Sequence, residues 1–296
     1  MDFFLLLLYG LIKHSPKLIS MRKARVLFVS QEITPYLDET HIGKIARRLP
    51  QAIQEKGKEI RTFMPKYGNI NERRHQLHEV IRLSGMNIVI NNADHPLIIK
   101  VASIPSARMQ VYFIDNDDYF HRKSALTDKA TGKYFDDNDE RTVFFNRGVI
   151  ETVKKLGWAP DVIHCHGWFT GLIPLYIKKA FSEDPLFAET KIIFTIYEEE
   201  YTKSLNKKII DKAIIDGVTK KELKHLEDAN YINFMKLAID FSDGISFGSE
   251  KINAEVEKYA KKSGKLILEF KGEAEYADAY NEFYDLVLED STILAD

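Results

Sequence analysis

Arg25-Val26-Leu27-Phe28-Val29-Ser30 is an apolar run that ends on a polar residue, the pattern of a parallel strand covered on both faces. Downstream, helical spacing from about Gly43 to Lys56 is stopped by Gly57, and Glu59-Ile60-Arg61-Thr62-Phe63-Met64 reads as a second strand ended by Pro65. Strand, helix, strand is a βαβ unit. Between Gln76 and Ile114 the pattern turns to short β-rich runs, Met86–Ile90, Leu97–Ala102 and Met109–Ile114, which read as hairpins attached to that core. Helix returns over Asp139–Leu156, strand over Asp161–His166, helix over Leu172–Ala180 and strand over Lys191–Ile196. This alternation predicts an α/β fold: a single Rossmann-like, doubly wound parallel sheet with inserted hairpins, whose ligands bind outside the strand C-termini.

The 296 residues carry 42 Lys+Arg against 44 Asp+Glu, a formal charge of −2 that excludes a globally polybasic nucleic-acid binder. With 45% hydrophobic residues, 18 Phe and 14 Tyr, the chain can bury a large core. Its lone cysteine, Cys165, permits no internal disulfide and fits a reducing cytoplasm. The apolar run Phe3–Ile12 is too short to span a bilayer, and Asp2 and the missing cleavage site argue against a signal peptide. We read residues 1–20 as an upstream extension before Met21, with a weak membrane-surface anchor as the alternative. The expected organisation is one α/β domain over 21–252, then a helical extension over 253–296. In that extension Ala254–Lys262 and Glu273–Leu288 are amphipathic; the apolar stripe Tyr276, Ala279, Tyr280, Phe283 and Leu286 suits covering the sheet, or else docking a partner protein.

His164 and His166 stand two apart at a strand end and share a face. They read either as a ligand-contacting pair or, in part, as hydrogen-bonded core beside Trp168; a third metal ligand at a suitable spacing is missing, so no metal or other cofactor is expected. No nucleophile elbow, phosphate loop or dinucleotide fingerprint occurs. Asp136-Asp137-Asn138-Asp139-Glu140 reads as a solvated helix cap. Glu198-Glu199-Glu200 reads as a solvated loop, with a cation or sugar-hydroxyl site as the alternative.

Taken in order, Val26–Tyr36, Arg47–Ile70, Tyr134–Glu151, Leu156–Lys178, Ile192–Tyr197 and Asn233–Ile245 resemble the N-terminal half of bacterial glycogen and starch synthases, the ADP-glucose-using glycosyltransferases of family 5. The resemblance implies half of a two-domain GT-B fold, the half that holds the growing α-1,4-glucan, while the other half holds most of ADP-glucose. It implies that His164 reaches the transferred sugar and that Asp137 is an acidic residue of the same cleft. His166, Trp168, Tyr67 and Tyr197 are the implied substrate contacts.

Departures accompany the match. Where the family has a Lys-x-Gly-Gly-Leu loop for the donor phosphate, this chain has Asp38-Glu39-Thr40-His41-Ile42, and two carboxylates beside a pyrophosphate repel it by an amount on the order of a few kcal/mol. The family's His-x-His-Asp-Trp reads His164-Cys165-His166-Gly167-Trp168, and only 44 residues follow Ile252, too few for a donor domain. The expectation is an α-glucan-binding half domain, a pseudoenzyme without transfer of its own. An active synthase that needs a partner chain and an interaction scaffold are the alternatives.

Overall fold

The computed structural model describes residues 22–293, with side chains to residue 289, so the extension expected over 1–20 lies outside the described residues. Among the described residues ten strands form the sheet: β1 (Arg25–Ser30), β2 (Glu59–Pro65), β3 (His78–Glu79), β4 (Met86–Ile90), β5 (Ala93–Ile104), β6 (Met109–Asp115), β7 (Val162–His166), β8 (Lys191–Ile196), β9 (Gly244–Phe247) and β10 (Leu266–Leu268). Their spatial order is β10-β9-β8-β7-β1-β2-β6-β5-β3, with β4 paired to β5. Every pairing from β10 to β6 is parallel; β3, β4 and β5 join antiparallel, which makes them the expected hairpins. The sequence order departs in both directions from β1, which places the topological switch between β1 and β7 and puts their C-terminal loops at the ligand-binding edge of such a sheet.

The longer helices are α1 (His41–Glu55), α2 (Asn138–Leu156), α3 (Ile173–Lys179), α4 (Tyr231–Asp240), α5 (Ala254–Lys262) and α6 (Tyr276–Ile293). Helix α1 starts two residues before the periodicity suggests, because the Thr40 hydroxyl caps it by accepting the Gly43 N–H at 3.0 Å. Helix α2 lies close on the sheet because Gly148 has no side chain; a Cβ there would stand 2.9 Å from Ile114 and 3.0 Å from Leu97. Sheet residues alternate between two cores. Leu27, Val29, Ile163 and Cys165 enter the larger one with α2, α3, α4 and α5, whereas Val26, Phe28, Val162 and Ile193 enter a smaller one roofed by α1 and α6.

Helix α6 supplies Tyr276, Tyr280, Phe283, Tyr284 and Val287 to that smaller core. The sheet-covering role expected of the C-terminal stripe is therefore observed for these residues, although Leu286 of the same stripe is exposed. The sheet also continues beyond the boundary expected at 252, since β10 pairs with β9 in parallel. Among the described residues no helix is long and apolar enough to cross a membrane.

Candidate functional site at the strand C-termini

His164 and His166 do share a face, with ring centroids 3.9 Å apart, and that face is the one roofed by α6. His164 lies one step below the strand end and is fully buried. Its Nδ1 lies 2.7 Å from the Tyr284 hydroxyl of α6 and its Nε2 lies 2.5 Å from Thr195 Oγ1. Thr195 continues to Ser246 Oγ at 2.5 Å, which accepts from Tyr280 at 3.2 Å. Both ring nitrogens of the residue expected to reach a transferred sugar are thus engaged inside the protein. Burial, reinforced by His166, holds the His164 imidazole neutral far below its ordinary range.

His166 stands at the last position of β7. Its Nδ1 is 2.7 Å from the Tyr197 hydroxyl, its Nε2 has no partner, and burial pushes its pKa down to about 3. The other expected substrate contacts are also enclosed. Trp168 packs against Tyr201, Phe169 and Phe234 with centroids 4.9, 5.3 and 6.0 Å away, Tyr197 is buried, and Tyr67 is buried with an unpartnered hydroxyl. None of these four presents a ring face to solvent, because both sides of a parallel sheet and the loops just above it are covered.

The loop before α1 is open. Asp38 and Glu39 are exposed, and Glu39 is paired with Lys44 at 3.5 Å. Thr40 donates to Glu32 Oε2 at 2.5 Å in addition to capping α1. His41 is exposed, and its Nε2 is 2.6 Å from the Gly248 carbonyl. With Glu198, Ser249, Glu250 and Phe270 it borders a small cavity of ≈ 250 Å³.

The two acidic runs correct the expectations made for them. Asp137 occupies the cap position of α2 but makes no cap bond; its Oδ2 accepts from Arg122 at 2.5 Å and its Oδ1 is unpartnered. Asp139 is not solvated but fully buried, held by Lys212 at 2.5 Å, and Lys212 also reaches Glu140 at 2.7 Å. A buried carboxylate needs such a cation, which the local sequence around 139 does not contain. Glu199 likewise turns inward from its expected solvated loop. Its Oε1 accepts the Trp168 N–H at 2.8 Å and its Oε2 accepts from Gln31 Nε2 at 2.7 Å. Burial of the carboxyl outweighs these bonds and raises its pKa to about 7.

Two residues that sequence reasoning passed over, Glu32 and Arg141, complete the site with Glu199. Glu32, raised in pKa mainly by burial, and Glu199 both act electrostatically on Tyr67 and Tyr134. Arg141, fully buried, donates to the Tyr119 and Ala125 carbonyls and to Asn138 Oδ1, which ties the loop before α2 to the helix. In front of α2 opens a cavity of ≈ 670 Å³ lined by Tyr134, Phe135, Asp136, Lys203 and Asn206 among others; Asp137 is not in its lining. Among the described residues no group of three or more His, Cys, Asp or Glu could hold a metal ion.

Residues 25–267 match the starch synthase catalytic domain, most of the chain. The chain belongs to that family. Similar members include the glycogen synthase of Chlorobium limicola, 37% identical over 201 residues, which cover 68% of this chain and 41% of the relative. The glycogen synthase of Chlorobium luteolum is 36% identical over 214 residues, 72% of this chain and 44% of the relative. The chain thus spans less than half the length of these family members. Among solved structures, the catalytic domain of starch synthase IV from Arabidopsis thaliana, bound to ADP and acarbose, superposes with a TM-score of 0.68 at 19% identity, over 84% of this chain and 51% of that one. This likeness fixes the fold as one half of the family's GT-B architecture.

Proposed function

We propose that this chain holds an α-1,4-glucan at the C-terminal edge of its sheet and does not by itself transfer glucose from ADP-glucose. The observation that carries the glucan half is the cavity in front of α2, where Tyr134 and Phe135 stand among Asp136, Lys203 and Asn206. Aromatic surface suits the C–H face of a pyranose, and the carboxylate, ammonium and amide suit its hydroxyls. The glycogen synthase names of the relatives and the acarbose in the fold neighbour are consistent with such a ligand.

The donor half of the proposal rests on the loop before α1. Its exposed Asp38 and Glu39 put negative charge where the family pattern has a phosphate-pairing lysine. Transfer with a partner chain is the second reading, and one observation favours it: Lys44, in the first turn of α1, is an ammonium already close to that loop. Titration calorimetry of the chain from Met21 with maltoheptaose and, separately, with ADP-glucose tests both. Maltoheptaose binding that Tyr134→Ala weakens, with no heat from ADP-glucose, is the expected result. ADP-glucose binding, or glucose transfer on addition of a second chain, would replace this reading by the second; no heat from either ligand would leave the fold as an interaction scaffold.

A further inference from the structure

Gly167 joins β7 to the helical turn Trp168–Thr170 with φ 83° and ψ 161°, a conformation reserved almost entirely for glycine. The first two N–H groups of that turn need acceptors, and residue 167 has no side chain to offer one. The Trp168 N–H is taken by Glu199 Oε1 at 2.8 Å and the Phe169 N–H by Gln31 Oε1 at 3.2 Å. The two side chains are themselves joined, Gln31 Nε2 donating to Glu199 Oε2 at 2.7 Å. A Cβ at residue 167 would lie 2.5 Å from Gln31 Oε1 and 2.9 Å from Glu199 Oε1, so these oxygens occupy the space a side chain there would need.

We propose that Glu199, in the loop after β8, is a positioning residue that supplies from the neighbouring strand's loop the carboxylate that the family pattern carries at residue 167, fixing the turn that follows His166. The matching of donors and acceptors makes the role specific. Three N–H donors, those of Trp168, Phe169 and Gln31 Nε2, face three oxygens, two from Glu199 and one from Gln31. Glu199 holds the loops after β1, β7 and β8 in one register, and the same carboxyl acts electrostatically on Tyr134, which lines the glucan cavity, and on the buried Tyr67. Its effect on glucan rests on the proposed function above; its effect on the turn does not.

The swap of the two residues tests this. Glu199→Gln leaves two oxygens for the backbone and amide donors and sets two amide groups against each other. The double variant Gln31→Glu/Glu199→Gln restores three donors to three oxygens, with the carboxylate now on the β1 side. At pH 8, where Glu199 carries its charge, we expect Glu199→Gln to lower the folding equilibrium constant at least about tenfold, the effect of leaving a buried donor unmatched. The double variant should return to within about threefold of the parent. Maltoheptaose affinity measured on the same proteins should fall and recover in parallel. A Glu199→Gln protein as stable as the parent overturns the proposal, as does a double variant no better than the single one. If Glu199→Gln does not fold, recovery of a folded protein by the double variant decides the matter in the same way. Absence of maltoheptaose binding in the parent would remove the glucan reading while the stability comparison still judges Glu199.

Discussion

Replacing Tyr284 by phenylalanine isolates the contact that fastens α6 over the sheet. The substitution removes one oxygen from a fully buried ring and keeps the ring itself, so apolar packing against Phe28 and Val287 is retained. What is lost is the 2.7 Å partner of His164 Nδ1. His164 is fully buried and neutral, and no solvent can take the place of the hydroxyl. Leaving one nitrogen of such a ring unmatched costs about 1–3 kcal/mol, whichever tautomer the ring adopts. Tyr280→Phe is the internal control: Ser246 Oγ would lose a 3.2 Å partner but keep Thr195 at 2.5 Å, so its cost should sit at the low end, about 0.5–1 kcal/mol. For a chain of this size, a loss of about 2 kcal/mol lowers the melting temperature by roughly 4 °C. Urea denaturation followed by circular dichroism gives the two free energies, and amide hydrogen exchange along α6 shows whether the helix loosens locally. A Tyr284→Phe protein with unchanged midpoint and unchanged α6 protection, or one less affected than Tyr280→Phe, would refute the assignment of that hydroxyl as the fastening.

The buried cation and the histidine pair yield two further expectations. Lys212→Met should cost about 3–5 kcal/mol in urea denaturation at pH 7, because it strands the fully buried Asp139, and adding Asp139→Asn should recover much of the loss. Acid should weaken the fold between pH 6.5 and 5: His164 and His166 stay neutral in the native protein while the unfolded chain takes up their protons, a loss of up to about 1.4 kcal/mol per pH unit for each. Glu199 acts in the opposite sense between about pH 7 and 4.5, since the native protein holds a proton there that the unfolded chain does not. Glu199→Gln should therefore show a steeper acid loss than the parent, by up to about 1.4 kcal/mol per unit, and a shallower one would contradict the sign.

The elements legible in the sequence were those whose residues answer to a single environment. β1 and β8 are apolar on both faces, and their observed bounds coincide with the expected runs; α5 likewise falls on its amphipathic stretch. Residues 244–247 and 266–268 escaped because four- and three-residue strands carry too little pattern to stand apart from the helices around them, and only the pairing of β9 with β8 and of β10 with β9 makes them strands. Strand β5 runs through Pro96 and back to Ala93, four residues before the expected start at Leu97, since the turn itself occupies only Asn91 and Asn92, both at positive φ.

The site was legible in composition and less so in direction. Two-residue spacing put both histidines on one face, and that was observed; it held no information about which helix would roof that face. A residue in a parallel strand meets the cleft only at the strand's last position, which is where His166 stands, and one step deeper His164 meets Tyr284 instead. Glu199 shows the complementary limit. A run of three glutamates looks solvated because nothing within the run demands a carboxylate, whereas the demand comes from the Trp168 N–H about thirty residues upstream and from the Gln31 amide in the loop after β1. Gly167 was the local signal for that demand: a glycine in place of a capping residue, at the start of a helical turn, leaves donors that some other part of the chain has to satisfy. Hence a missing side chain within a motif points to the residue that has taken its place in space, and sequence alone names the vacancy without naming its occupant.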